Sequence, residues 1–142
     1  MTRVGFYVLA DAAPDAALRF ACRLIEKAHA EGHRVYWRLP DEAACRAADE
    51  LLWTFRQGSF VPHAPAPALA GDDDPTPVVL GTGDPPPGLD DVLVNLHPEV
   101  PDFFSRFERA AEIVTPDTRD AGRRRYRFYQ ERGYPLETHK IT

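Results

Sequence analysis

At 142 residues with a formal net charge of −5, the chain is long enough for one domain with a proper core and too acidic to coat nucleic acid wholesale. With 44% hydrophobic and 27% charged residues it has the make-up of a soluble globular protein, and no apolar run approaches the ~20 residues of a membrane span. The opening M-T-R-V-G-F-Y-V-L-A is too short and too soon acidic for a secretion signal.

Residues 3–10 are a nearly unbroken apolar run, as expected of a strand buried on both sides. Pro14 and Asp15 then open a helix whose stripe is Ala17, Ala21, Leu24, Ile25 and Ala28, and Gly32 ends it. Val35 to Leu39 make a second strand, which completes a βαβ unit, normally parallel and right-handed. Asp41 caps a helix running to about Arg56, with Ala44, Ala48, Leu51, Leu52 and Phe55 turned inward. On the same wheel Trp53 falls outside with Arg46, Asp49 and Glu50. An outward tryptophan suits a protein partner, the alternative being that it packs under the following loop.

The passage Ser59 to His63 is an apolar turn, and Ala64 to Thr76 reads as a surface loop without a core of its own. Strands follow at 77–80 and 91–96, joined by a rigid proline-rich connection. Pro101 and Asp102 open a short helix that carries Phe103, Phe104 and Phe107 into the core, and Glu112 to Val114 form a brief last strand. The sum is α/β: a single Rossmann-like domain over residues 1–142, with about five mostly parallel strands and helices on both faces. Nothing is assigned to residues 135–142.

The most distinctive element is a basic helix spanning Thr115 to Gly133. Thr115 suits its cap, Pro116 its first position, and Gly133 its C-terminal stop. From Arg119 to Arg132, six arginines face only Asp120 and Glu131. Arg119, Arg123, Tyr126 and Arg127 are spaced i, i+4, i+7 and i+8 and share one face. Guanidinium forks beside an aromatic ring suit carboxylates and an apolar or aromatic anchor, whereas the alternative is a solvated basic face. Arg125, Phe128, Tyr129 and Arg132 lie round another face, whose aromatics are the better core candidates. Gly122 costs roughly 1 kcal/mol against Ala inside a helix, which points to a close backbone approach.

Enzyme chemistry finds little footing. Gly81-Thr82-Gly83 resembles half a glycine fingerprint, but it runs into three prolines rather than a helix, so no nucleotide-binding loop is expected. His29 and His33 are separated by the helix-ending Gly32, and His63, His97 and His139 fall singly in predicted loops or tails, so no metal site is expected. Cys22 and Cys45 fall inside predicted helices, which suggests reduced thiols in the cytoplasm. Asp72, Asp73 and Asp74 sit in a loop poorly suited to acid–base work. No catalytic residue and no cofactor is assigned.

Three passages carry a resemblance: R-V-G-F-Y-V-L at the start, L-W-T-F-R-Q-G-S-F-V-P-H at 52–63, and R-R-R-Y-R-F-Y-Q-E-R-G-Y at 123–134. Together they make the chain similar, over essentially its whole length, to the chi subunit of the bacterial DNA polymerase III holoenzyme. The resemblance implies a Rossmann-like accessory of the clamp loader with no activity of its own. It also implies binding to the acidic, phenylalanine-ended C-terminal tail of single-stranded DNA-binding protein. Carried over by residue, the tail site falls on Arg123, Tyr126 and Arg127, with Arg119 one turn earlier. A second family surface, which meets the psi subunit or a helicase partner, falls on Trp53 and Phe60. The alternative function is direct binding of single-stranded nucleic acid along the arginine helix. A nucleotide-binding enzyme stands third, since it lacks a phosphate loop.

Overall fold

The computed structural model describes residues 1–142. Its strands are β1 (Arg3–Leu9), β2 (Val35–Arg38), β3 (His63–Pro65), β4 (Val78–Gly81), β5 (Val92–Asn95), β6 (Arg109–Val114) and β7 (Leu136–Ile141). Its α-helices are α1 (Ala16–Ala30), α2 (Glu42–Thr54) and α3 (Arg119–Glu131). The strands form one open sheet of order β3-β4-β2-β5-β6-β1-β7, and every pairing is parallel.

Alternation along the strands divides the core into two layers. Val35 and Trp37 of β2, Val78 and Leu80 of β4, and Val92 and Val94 of β5 face a core with Cys22 and Ile25 of α1 and Leu52 of α2. Tyr36, Val79 and Leu93, the residues between them, face the other side with Phe103, Phe104, Phe107 and Tyr129. A strand buried on both faces needs apolar residues at consecutive positions, which is why these strands read as continuous hydrophobic runs. Helices therefore cover both faces, α1 and α2 on one and α3 on the other.

The α/β expectation holds, with seven strands in place of about five and all of them parallel. The two missed strands are the sheet's edges. β3 is three residues long and ends in Pro65, too short for a period and tolerable only where a ladder bond is dispensable. β7, L-E-T-H-K-I, pairs with β1 alone and is polar on both faces, as an edge strand in water can be. The unassigned stretch 135–142 thus holds an integral strand, Leu136–Ile141. β6 is also longer than expected, six residues instead of three, because its opening Arg109-Ala110-Ala111 has neither β-branched residues nor a strong apolar run.

The basic helix starts later than its sequence suggests. Residues 116–118 form a 3-10 turn, closed by reciprocal bonds between Thr115 and Thr118, and α-geometry begins at Arg119. The short helix carrying the phenylalanines is likewise a 3-10 turn over Phe104–Arg106, with Phe103, Phe104 and Phe107 all buried. The loop from Ala64 to Thr76 is stitched by Asp74, whose carboxylate accepts bonds from the Ala70 and Thr76 amides and the Thr76 hydroxyl at 2.6–2.9 Å. These bonds, with Arg34 nearby, hold the Asp74 carboxyl down at about 2.

Two glycines have steric reasons. A Cβ on Gly122 would lie 2.8 Å from Val114 Cγ2, so α3 approaches β6 by its bare backbone. A Cβ on Gly81 would lie 2.5 Å from the Tyr36 hydroxyl, which passes through that space to donate to the Gly83 carbonyl at 2.6 Å. The Gly81-Thr82-Gly83 run therefore accommodates a tyrosine. No helix is long and apolar enough to cross a membrane.

Candidate binding groove beside the terminal helix

α3 is fixed by a buried ionic cluster. Glu112, in the middle of β6, is wholly buried. Arg125 Nε donates to its Oε1 at 2.8 Å and the Tyr129 hydroxyl donates to Oε2 at 2.7 Å. Asn95 Nδ2 donates to both oxygens at 3.0 and 3.1 Å, and Arg125 Nη1 donates to the Pro98 carbonyl at 3.1 Å. Burial pushes the Glu112 carboxyl up, while Arg125, Tyr129 and Asn95 all pull it down by stabilising the charged form. The Tyr129 phenol is raised by burial and by the neighbouring carboxylate. Arg125 and Tyr129 are four residues apart, so the cluster grips one face of α3 and sets its rotation about its own axis.

That rotation turns the neighbouring face, with Arg119, Arg123 and Tyr126, toward the end of the sheet. A groove of about 520 Å³ opens there, between α3 and the carboxyl ends of β1 and β7. Its floor is Phe6, Val8 and Val114, and Arg119, Arg123 and Tyr126 line it from the helix. Tyr126 is half-buried and stands edge-on to Phe6 at 5.2 Å between ring centres. Arg123 makes an exposed ion pair with Asp120 at 2.9 Å, and exposed pairs of this kind are weak and readily exchanged. Arg119 makes no ion pair within the chain. No acidic side chain lines the groove. Crevices outside the carboxyl ends of parallel strands are where open α/β sheets hold ligands. This one offers cationic forks above an apolar, aromatic floor.

A second feature lies on α2 and the turn after it. Trp53 is 49% and Phe60 69% exposed, the two large ring side chains that stay open to solvent. Their ring centres are 5.8 Å apart, and Trp53 also leans on His63 at 4.2 Å. His63 is buried, with Nδ1 2.6 Å from the Val61 carbonyl and Nε2 3.0 Å from that of Asp49. The turn is tied to α1 through Glu26, which takes bonds from Ser59 Oγ and, at 3.0 Å, from Arg56. The aromatic pair is therefore exposed on a braced support.

The family model described as DNA polymerase III chi subunit, HolC, matches residues 1–137. The chain belongs to the chi subunit family of DNA polymerase III. Its relatives include a DNA polymerase III subunit chi of Pseudomonas aeruginosa, 47% identical over 143 residues, covering 99% of this chain and 98% of the relative. A subunit of the same description from Haemophilus influenzae is 29% identical over 141 residues, covering 96% and 95%. Membership places the chain among the accessory subunits of DNA replication.

In this chi-family chain the four helix residues singled out from sequence do not all meet. Arg119, Arg123 and Tyr126 converge on the groove; Arg127 is exposed and lies outside its lining. Trp53 and Phe60 come together, and His63, read from sequence as isolated, is the buried brace beneath them. Sequence reasoning missed the wall supplied by β7, Thr138, Lys140 and Ile141, and the buried role of Arg125. The wall carried a faint signal in its β-branched residues. Arg125 carried a partial one, its place on the helix face of Phe128 and Tyr129, but its partner Glu112 lies thirteen positions away on another element. Both cysteines are buried, and burial pushes Cys22 up to about 12 and raises Cys45 too. No three His, Cys, Asp or Glu side chains come together as a metal would require.

Proposed function

We propose that this chi-family chain is a non-catalytic, cytoplasmic adaptor that binds the acidic C-terminal tail of single-stranded DNA-binding protein and couples it to the clamp loader. One observation carries the reading: a groove lined by Arg119, Arg123 and Tyr126, floored by Phe6 and Val8, with no acidic side chain in its wall. An acidic peptide ending in an aromatic residue matches both parts. Its carboxylates meet guanidinium groups, and its ring meets Tyr126 and the apolar floor. Arg127, just outside, serves the more distant carboxylates of the same tail. Trp53 and Phe60 form the second docking surface, for the psi subunit or a helicase; aromatic anchors of this type carry much of the energy in protein interfaces.

The test is isothermal titration of an acidic, phenylalanine-ended peptide into the full chain. Binding on the order of micromolar, about −8 kcal/mol, that weakens with salt is expected. Arg123→Ala should weaken it about tenfold or more, equivalent to ~1.4 kcal/mol, and Trp53→Ala should leave it unchanged. Peptide affinity that is indifferent to Arg123→Ala, alongside tight binding of a bare oligonucleotide, would replace the adaptor with a nucleic-acid-binding protein.

A further inference from the structure

The helix arginines occupy one wall of the groove. The opposite wall is β7, and the pairing of β7 with β1 determines which of its side chains face inward. Phe6 is in register with Thr138, and Val8 with Lys140. Phe6 packs in the core layer on the α3 side, and side chains alternate along a strand. Thr138, Lys140 and Thr142 therefore point toward α3, while Glu137 and His139 point to the other face, where His139 stacks on Tyr7 at 4.9 Å. Thr138, Lys140 and Thr142 all line the groove. Lys140 is exposed and makes no ion pair. Its ammonium is thus a third cation beside the floor, supplied by a different element from Arg119 and Arg123.

Resting on the tail-binding reading, we propose that Lys140 grips the terminal carboxylate of the bound peptide and so makes the groove selective for a free chain end. The chemistry follows from the layout. A terminal aromatic residue seated on Phe6, Val8 and Tyr126 carries its own α-carboxylate within the groove. The side-chain carboxylates before it trail outward along the arginines of α3. A compact ammonium on a flexible stem meets a carboxylate at a chain end as a point charge, without the planar alignment that a guanidinium fork requires. Cations on both walls bracket that carboxylate, whereas a peptide continuing past the aromatic residue would place a neutral amide between them.

The experiment titrates two peptides of identical acidic, phenylalanine-ended sequence, one with a free carboxylate and one amidated, into wild type, Lys140→Ala, Lys140→Arg and Arg123→Ala. For the free-acid peptide, Lys140→Ala should lose roughly five- to tenfold in affinity and Lys140→Arg less than about twofold. For the amidated peptide, Lys140→Ala should differ from wild type by less than about twofold. If Lys140→Ala binds the free acid as wild type does, the lysine merely guards a sheet edge and the inference fails. Equal losses for both peptides would also overturn it, by showing that Lys140 reads charge without regard to the chain end. Failure of the wild type to bind either peptide would sink the tail reading itself, whereas a sensitive Arg123→Ala with an insensitive Lys140→Ala would sink only this inference.

Discussion

Replacing Glu112 with alanine tests whether the buried cluster sets the position of α3. The substitution removes the acceptor for four donor contacts, from Arg125, Tyr129 and both amide approaches of Asn95. It leaves the Arg125 guanidinium, 5% exposed, with only the Pro98 carbonyl. Stranding one charge of a buried pair costs about 3–5 kcal/mol, a large part of the roughly 5–15 kcal/mol that holds a domain together. At about 3 °C per kcal/mol for a chain of this size, the melting temperature should fall by about 10–15 °C. Differential scanning calorimetry or urea unfolding followed by circular dichroism measures it. Glu112→Leu combined with Arg125→Leu should recover most of the loss, because no charge is then left unpaired. A Glu112→Ala protein melting within about 3 °C of wild type, or a double variant no better than the single one, would refute this account of what holds the helix.

Gly122→Ala should destabilise the protein although alanine is the better helix former. The helix gain is about 1 kcal/mol, whereas forcing a Cβ to 2.8 Å from a stiff valine in β6 costs typically 1–3 kcal/mol; urea unfolding gives the sign. Neither cysteine should react with a disulfide reagent at pH 8 in the folded state, since both thiols are buried and Cys22 is held near 12, and both should react at once in urea. The depressed Asp74 carboxyl, at about 2, should contribute stability above its unfolded value near 3.8 and lose it as pH falls toward 2. Asp74→Asn should flatten that part of the acid unfolding curve. Deleting residues 136–142 should abolish peptide binding, because one wall of the groove goes with β7.

The sequence alone was enough for the elements with a strong local code. The apolar runs of β1, β2, β4 and β5 announce strands buried on both faces. Asp41 announces the start of α2, which its side chain caps through the Ala44 amide at 2.8 Å. Helical spacing placed Trp53 outside and gathered Arg119, Arg123, Tyr126 and Arg127 on one face, of which Arg127 lies outside the groove, and the demand for a bare backbone at Gly122 was readable from its cost. These signals are local because each arises from neighbours within a few positions along the chain.

What only the tertiary structure decided depends on residues far apart in sequence. Spacing sorts the helix arginines onto faces, but only β6, by supplying Glu112, turns Arg125 into a buried anchor and leaves Arg119 and Arg123 at the groove. The tail from Leu136 to Ile141 has no apolar period, because a strand with one neighbour and water on its outer edge needs none. Its pairing with β1, over 130 positions away in sequence, is what brings Lys140 opposite the arginines. Local propensity selects helix or strand, but a groove is the space between elements, and that space exists only once the sheet order is fixed.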